Sequence, residues 1–130
     1  MKRNKKGFTL AELLIVVAII AVLVAIAIPI FTSSLHSSQE ATDEANCRSY
    51  YADLQADYLA NMNGTYTATT ADKATSFKLS DGEEITLSAN STVDVSFTDG
   101  QGYTVTWTCS KEGNTKTWGA QPTSSSTTNP

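Results

Sequence analysis

The longest hydrophobic stretch of the chain covers residues 8–31 and carries a single charged residue, Glu12. Sixteen of its 24 residues are Phe, Leu, Ile or Val. As a helix rising about 1.5 Å per residue, such a run crosses a hydrocarbon core of roughly 30 Å. The insertion free energy of these side chains exceeds the cost of one carboxylate near the end of the span. The pattern therefore predicts a membrane-spanning helix in spite of Glu12.

A second helical pattern follows, after a serine-rich segment of lower helix propensity. Its apolar residues recur at steps of four, three, four and four, the spacing of one face of an amphipathic helix. They are Cys47, Tyr51, Leu54, Tyr58 and Met62. Asn63-Gly64 supplies a stop signal. We therefore predict one long helix over residues 8–61, kinked at Pro29 because proline lacks the backbone N–H and clashes with an earlier carbonyl.

Beyond this helix, apolar and polar residues alternate with period two, which predicts antiparallel strands with one buried face. The clearest alternation covers residues 93–97 and 103–109, joined by the turn Asp99-Gly100-Gln101-Gly102. Shorter candidate strands are residues 77–79, 85–87 and 115–118. We predict an α+β fold in which one long N-terminal helix packs on a small antiparallel β-sheet meander of three to five strands.

Charge is distributed unevenly along the chain. Residues 1–7, MKRNKKG, hold four of the nine basic residues and no acid. The remainder carries five basic and thirteen acidic residues, a formal net charge of five minus thirteen, or −8. The basic flank predicts that the N-terminus stays in the cytoplasm and that the chain after the apolar span lies outside. The acidic remainder argues against a general nucleic-acid binder, which needs Lys and Arg on phosphates.

Secretory signal peptides and uncleaved membrane anchors share this arrangement of a basic segment and an apolar run. Ala25-Ile26-Ala27 fits the small-x-small pattern of a signal-peptidase site. The run before it exceeds the usual length of roughly 7 to 15 residues, contains Glu12 and is soon followed by Pro29, which weakens that interpretation. An uncleaved anchor explains the length and the charge bias, but gives Glu12 no role.

The segment Gly7-Phe8-Thr9-Leu10-Ala11-Glu12 resembles the type IV prepilin family, which includes the pseudopilins of type II secretion and competence systems. The shared features are a short basic leader ending in glycine, an aromatic first mature residue, a glutamate as the fifth mature residue and an unbroken apolar helix. The resemblance implies cleavage after Gly7 by a membrane-bound prepilin peptidase, N-methylation of Phe8 and assembly of the mature chain into a helical filament.

The same resemblance implies the partners and the location of the chain. Its partners would be further copies of itself, the peptidase and the pilus assembly platform proteins. Before assembly it would span the cytoplasmic membrane once with the N-terminus inside, and afterwards it would form an extracellular pilus or a pseudopilus.

Glu12 acquires a physical role on this interpretation. Cleavage after Gly7 creates a cationic amine on Phe8, and this amine and Glu12 are each costly to bury alone in a filament core. The Glu12 of one subunit can neutralise the Phe8 amine of its neighbour, and removing one partner of such a pair costs roughly 3 to 5 kcal/mol. The alternative is that the Glu12 side chain merely extends to the membrane interface.

Five segments are predicted from these patterns. They are a cleaved basic leader (1–7), a transmembrane and filament-core helix (8–31), the amphipathic second half of the helix (32–64), an antiparallel β-sheet domain (65–120) and a disordered, low-complexity tail (121–130).

Cys47 and Cys109 are both predicted to face the core, Cys47 from helical spacing and Cys109 from strand alternation. In an exported chain an even pair favours a disulfide, which would close a loop of about 60 residues and stabilise the fold by roughly 4 kcal/mol. Two buried thiols are the alternative.

The sequence contains no predicted catalytic constellation, cofactor motif or metal site. The single histidine, His36, lies in the serine-rich segment. Asp81, Glu83, Glu84 and Asp99 flank glycine turns without the spacing of a defined calcium loop, and turn chemistry explains them. We therefore predict a structural pilus subunit rather than an enzyme. The alternatives are a pseudopilin for secretion or DNA uptake, and a membrane-anchored adhesin or binding domain that does not polymerise.

Overall fold

The computed structural model describes residues 7–64 and 66–119, so that the predicted leader up to Lys6 and the predicted tail over 121–130 lie outside the described residues. The chain forms two compact units, Met1–Ser37 and Ser38–Pro130. One helix, α1 (Leu10–Ala60), contributes to both. The described strands are β1 (Ala71–Ala74), β2 (Ser76–Lys78), β3 (Glu84–Thr86), β4 (Ser91–Thr98), β5 (Gly102–Cys109) and β6 (Asn114–Gly119).

In the first unit the apolar side chains of α1 are uncovered on all sides. Sixteen large apolar residues between Phe8 and Phe31 are 44–84% exposed. Within the described residues, α1 is the one helix long and apolar enough to cross a membrane. A helix that is hydrophobic all round is typical of a membrane span. Pro29 lies inside α1, and the kink predicted there stays a prediction.

In the second unit α1 buries one face. Its buried residues are Asp43, Cys47, Tyr50, Leu54 and Tyr58. Tyr50 takes the central position predicted for Tyr51, which is only half-buried, because the Tyr50 ring stacks on Phe77 with the centroids 4.1 Å apart. The prediction for Met62 is wrong, since this residue lies beyond the end of the helix and is 56% exposed.

Four strands form an antiparallel sheet in the order β1-β4-β5-β6, while β2 and β3 form a separate two-stranded sheet. The α+β architecture of a long helix on an antiparallel sheet is confirmed. The meander, however, comprises only β4, β5 and β6 of the described strands, because β1 pairs with β4 across the intervening β2–β3 hairpin. No sequence pattern predicts β1, a short edge strand that carries Asp72 and Lys73 and has an irregular register.

The core of the second unit lies between α1 and the sheets. Alternate residues of β4 and β5 supply most of the sheet side, as their period-two pattern predicts. They are Val93, Val95, Tyr103, Val105, Trp107 and Cys109. Complete burial of a Val, Leu or Phe side chain stabilises a fold by about 1.5–3 kcal/mol, so this cluster is the main source of stability in the unit.

Acidic side chains of α1 accept hydrogen bonds from the segments between the strands. Both carboxylate oxygens of Asp43, a buried residue, accept the N–H of Ser88, at 3.2 and 3.1 Å. Asp53 accepts the N–H of Ser80 at 2.9 Å and its hydroxyl at 2.5 Å. Hydrogen bonds to charged groups contribute about 1.5–3 kcal/mol each. The helix therefore holds the β3–β4 connection and the β2–β3 turn by side-chain acceptors.

A hydrogen-bond network around Tyr103 joins β5 to α1 and to the segment after it. The Tyr103 hydroxyl is 2.7 Å from the Tyr66 hydroxyl and accepts the N–H of Thr69 at 2.9 Å. The backbone N–H of Tyr103 donates to the Gln55 side chain at 3.0 Å. Burial and the hydrogen bonds to Tyr103 and Asp57 raise the pKa of Tyr66 above its ordinary value, so the Tyr66 hydroxyl keeps its proton at neutral pH.

Candidate assembly site at the start of the helix

Glu12 forms a reciprocal pair of hydrogen bonds with Thr9 at the N-terminus of α1. The N–H of Thr9 donates to Glu12 Oε2 at 2.9 Å, and the N–H of Glu12 donates to Thr9 Oγ1 at 3.3 Å. This arrangement is a capping box, in which Thr9 is the N-cap residue and Glu12 is the third helical residue. It explains why α1 begins at Leu10 rather than at the predicted Phe8.

The capping box was not part of the sequence predictions, although a signal for it exists. Thr9-Leu10-Ala11-Glu12 has the S/T-x-x-E spacing that precedes an apolar helical run. The sequence predictions pair Glu12 with the Phe8 amine of a neighbouring subunit and give it no contact within its own chain. In the structure the carboxylate already has a partner in its own chain, and it lies at the positive end of the helix dipole.

The surroundings of this carboxylate are otherwise apolar. Glu12 lines a groove together with Phe8, Leu13, Ile15 and Val16. Phe8 itself, which precedes the helix, is exposed. The groove is open to solvent, and the Glu12 carboxylate is bonded to Thr9 at the start of the helix.

Gly7 lies outside any regular element of the structure and is exposed. A Cβ atom added there would meet nothing within 4 Å among the described residues. Neither packing nor a left-handed backbone therefore accounts for glycine at position 7. The absence of a side chain does allow an extended backbone to approach a protease closely.

Cys47 and Cys109 are both fully buried in the same hydrophobic core. The structure contains them as thiols and not as the predicted disulfide, whose formation stays a prediction. Burial, with a smaller contribution from Asp43, raises the pKa of Cys47 to about 12. Burial and a hydrogen bond with Glu40 raise the pKa of Cys109. Thiols with raised pKa values are poor nucleophiles at neutral pH.

We expect both thiols to resist alkylation in the folded chain. A pKa of about 12 leaves roughly one Cys47 thiol in ten thousand ionised at pH 8, and burial excludes the reagent as well. Intact-mass analysis after N-ethylmaleimide treatment without reductant should show no adduct in buffer and two adducts in urea. No adduct in urea would instead demonstrate the disulfide, and rapid labelling in buffer would contradict the burial.

The same shift has a defined effect on stability. The Cys47 thiol ionises near pH 9.0 in an unfolded chain and near pH 12 in the folded one. The unfolded state therefore binds fewer protons between these values, and the contribution of this thiol to stability is lost as the pH rises through that window.

Two of the four acidic residues weighed as calcium ligands accept hydrogen bonds from nearby groups. Asp81 Oδ1 accepts the N–H of Glu83 at 2.9 Å, and Glu84 Oε1 accepts the Ser76 hydroxyl at 3.3 Å. The Asp81 contact agrees with the turn-chemistry explanation, whereas the Glu84 contact joins β2 and β3.

The beginning of the chain matches a known family model, the prokaryotic N-terminal methylation motif, over residues 2–28. Comparisons with curated proteins and with solved structures gave no match. The matched residues include Gly7, Phe8 and Glu12, and they extend into the apolar part of α1. The motif and the uncovered helix together indicate a structural protein whose precursor is anchored in a membrane. The chain thus carries the prepilin N-terminal methylation motif, in agreement with the type IV pilin and pseudopilin family.

Proposed function

We propose that this chain is the structural subunit of a type IV pilus, exported as a prepilin, cleaved after Gly7, methylated on Phe8 and polymerised through its hydrophobic helix. The observation that carries the proposal is the position of Glu12. This carboxylate is held at the head of an uncovered apolar helix, inside the residues that match the methylation motif.

The exposure of the apolar helix supplies the physical reason for polymerisation. Its large side chains between Phe8 and Phe31 are covered by no other part of the described chain. In the membrane, lipid covers them. Once a subunit leaves the membrane, these side chains need equivalent apolar surroundings, and the helices of neighbouring subunits provide them at about 25 cal/mol per Å² of buried apolar surface.

The register of neighbouring helices follows from charge. Cleavage after Gly7 would leave a cationic amine on Phe8, adjacent to a groove that contains Glu12. An amine and a carboxylate that are both buried between apolar helices stabilise the assembly only when they are paired. The amine of one subunit therefore binds Glu12 of the next. If neighbouring helices were shifted along the filament axis from this register, both charges would be buried unpaired.

The partners follow from this pathway. The cytoplasmic membrane holds the precursor, a prepilin peptidase cuts it, and assembly platform proteins transfer the mature subunit to the filament. The second unit, with its acidic and polar surface, then lies on the outside of the fibre.

The cut site provides the first test of this proposal. Mature protein from surface material should begin at N-methylated Phe8, and its intact mass should lack residues 1–7. N-terminal sequencing with mass spectrometry measures both. A start at Ile28 would indicate an ordinary signal peptidase, and a start at Met1 would indicate an uncleaved anchor. Either start would refute the processing step.

Electron microscopy of sheared surface material, labelled with antibody to the second unit, provides the second test. Long labelled fibres support the pilus. Short fibres that appear only on overexpression would favour the pseudopilin of a secretion or DNA-uptake system. Label confined to membranes, with no fibre at all, would favour a non-polymerising adhesin or binding domain.

A further inference from the structure

The turn that follows α1 contains the dipeptide Asn63-Gly64, and both of its residues are exposed and lie outside the helix and the strands. The N–H of Gly64 donates to the Asn61 carbonyl at 3.3 Å, longer than the usual distance of about 2.9–3.0 Å for such a bond. A Cβ atom added at Gly64 would meet nothing within 4 Å among the described residues. The amide nitrogen of Gly64 is therefore weakly restrained and accessible to water.

Hydrogen bonds to Asp57 hold the residues on both sides of this dipeptide. The Asn61 side chain donates to the Asp57 carbonyl at 2.8 Å and to its Oδ1 at 3.0 Å. The Tyr66 hydroxyl donates to Asp57 Oδ2 at 3.1 Å. None of these three bonds involves Asn63 or Gly64, so a change in the covalent structure of the dipeptide breaks none of them directly.

An asparagine side chain next to such a backbone nitrogen can undergo cyclisation. The Gly64 nitrogen attacks Cγ of Asn63, the new N–Cγ bond forms, the Cγ–Nδ2 bond breaks, and the amide leaves as ammonia with the proton of the Gly64 N–H. Water then opens the succinimide at either carbonyl and gives aspartate or isoaspartate. A side chain on the following residue hinders the attack, whereas glycine has no Cβ and allows the backbone conformation that it needs.

The other four asparagines of the described ranges are less suited to this reaction, since glycine follows none of them. Asn46 lies within α1, and Asn114 is the first residue of β6. The side chain of Asn61 is held by its two hydrogen bonds. Asn90 precedes Ser91, which is 3% exposed and whose N–H already donates to a backbone carbonyl at 2.9 Å.

We propose that Asn63 is a site of spontaneous deamidation in the folded chain, at which Gly64 supplies the attacking nitrogen and water is the other reactant. The product carries a negative charge just beyond the C-terminal end of α1, where the helix dipole disfavours it. Each copy of the chain therefore becomes more acidic as it ages. This inference goes beyond the proposed function and holds whether or not the chain forms filaments.

The test follows the full chain in detergent at mildly alkaline pH, with and without urea, by peptide mapping and mass spectrometry. Deamidation replaces the amide by a carboxylate, which changes the mass of the peptide that contains residue 63, and Asn63→Asp provides the reference for the aspartate product. Gly64→Ala is the matched variant. The fold accommodates this alanine, because a Cβ has room there and Gly64 is not among the glycines of positive φ.

In the folded chain we expect Asn63 to deamidate faster than each of the other four asparagines, and at a rate close to its rate in urea, because an exposed turn gives little protection. Gly64→Ala should slow the reaction several-fold, since its Cβ hinders the attack. Deamidation of Asn63 in urea alone would show that the fold protects it and would overturn the proposal. An unchanged rate in Gly64→Ala would overturn it as well, because the glycine would then have no part in the reaction.

Discussion

Replacing Glu12 by glutamine is expected to abolish surface filaments while the subunit remains cleaved and in the membrane. Glutamine at the third helical position still completes a capping box with Thr9, so the helix start is preserved. What the substitution removes is the negative charge. The Phe8 amine of the neighbouring subunit would then be buried without a counter-charge, at a cost of about 3–5 kcal/mol for each subunit added.

Two further substitutions define this effect. Glu12→Ala removes both the cap and the charge, and it should be no more deficient in filaments than Glu12→Gln if the charge is decisive. Glu44→Gln is the matched control, because Glu44 also lies on α1 and forms an exposed ion pair with Lys116 at 3.9 Å. Exposed pairs contribute about 0–1 kcal/mol, so its filaments should be normal. Filaments at wild-type abundance in Glu12→Gln would show that register does not depend on charge pairing.

Truncation of Tyr103 to alanine should cause a large loss of stability in the second unit. The ring is 1% exposed and packs on Phe97 with the centroids 5.0 Å apart. Removing a buried aromatic side chain costs about 3–5 kcal/mol. The hydroxyl adds to this, because it binds the Tyr66 hydroxyl and the Thr69 N–H. Urea unfolding of the mature chain in detergent, followed by tryptophan fluorescence, measures the free energy of unfolding.

Tyr103→Phe separates the two contributions. It keeps the ring and removes the hydroxyl, leaving the Thr69 N–H without its acceptor, which costs about 1–3 kcal/mol. Tyr51→Phe is the control, since Tyr51 is half-buried and has no side-chain hydrogen bond within the described residues; it should change stability by about 0.5 kcal/mol or less. Equal stability of Tyr103→Phe and wild type would show that the network contributes nothing.

Much of this fold could be read from local patterns. The period-two alternation that identifies β4 and β5 arises from the pleat itself, so it needs no knowledge of the rest of the chain. The pattern in the helix does not determine which of two neighbouring residues faces the core. Tyr50 and Tyr51 both fit a step of three or four residues from Cys47, and only the stacking of Phe77 on Tyr50 decides between them.

Other features depend on partners that are distant in sequence. Asp43 binds Ser88 across 45 residues, and β1 is a strand only because β4 is available beside it. No pattern within a short window contains this information. The capping box is different, because Thr9 and Glu12 are three residues apart and the signal was present. The charge of Glu12 indicates a role in assembly, whereas its spacing from Thr9 indicates the role at the start of the helix.

No contact within the described structure requires glycine at position 7. Because a Cβ atom there would meet no described atom within 4 Å, packing around that atom does not require glycine. On the proposed function, the requirement for glycine comes from the peptidase, whose active site must fit around the bond that follows it. On this view the residue at position 7 is selected by the substrate pocket of the peptidase. A panel of substitutions there would map that pocket without disturbing the fold of the subunit.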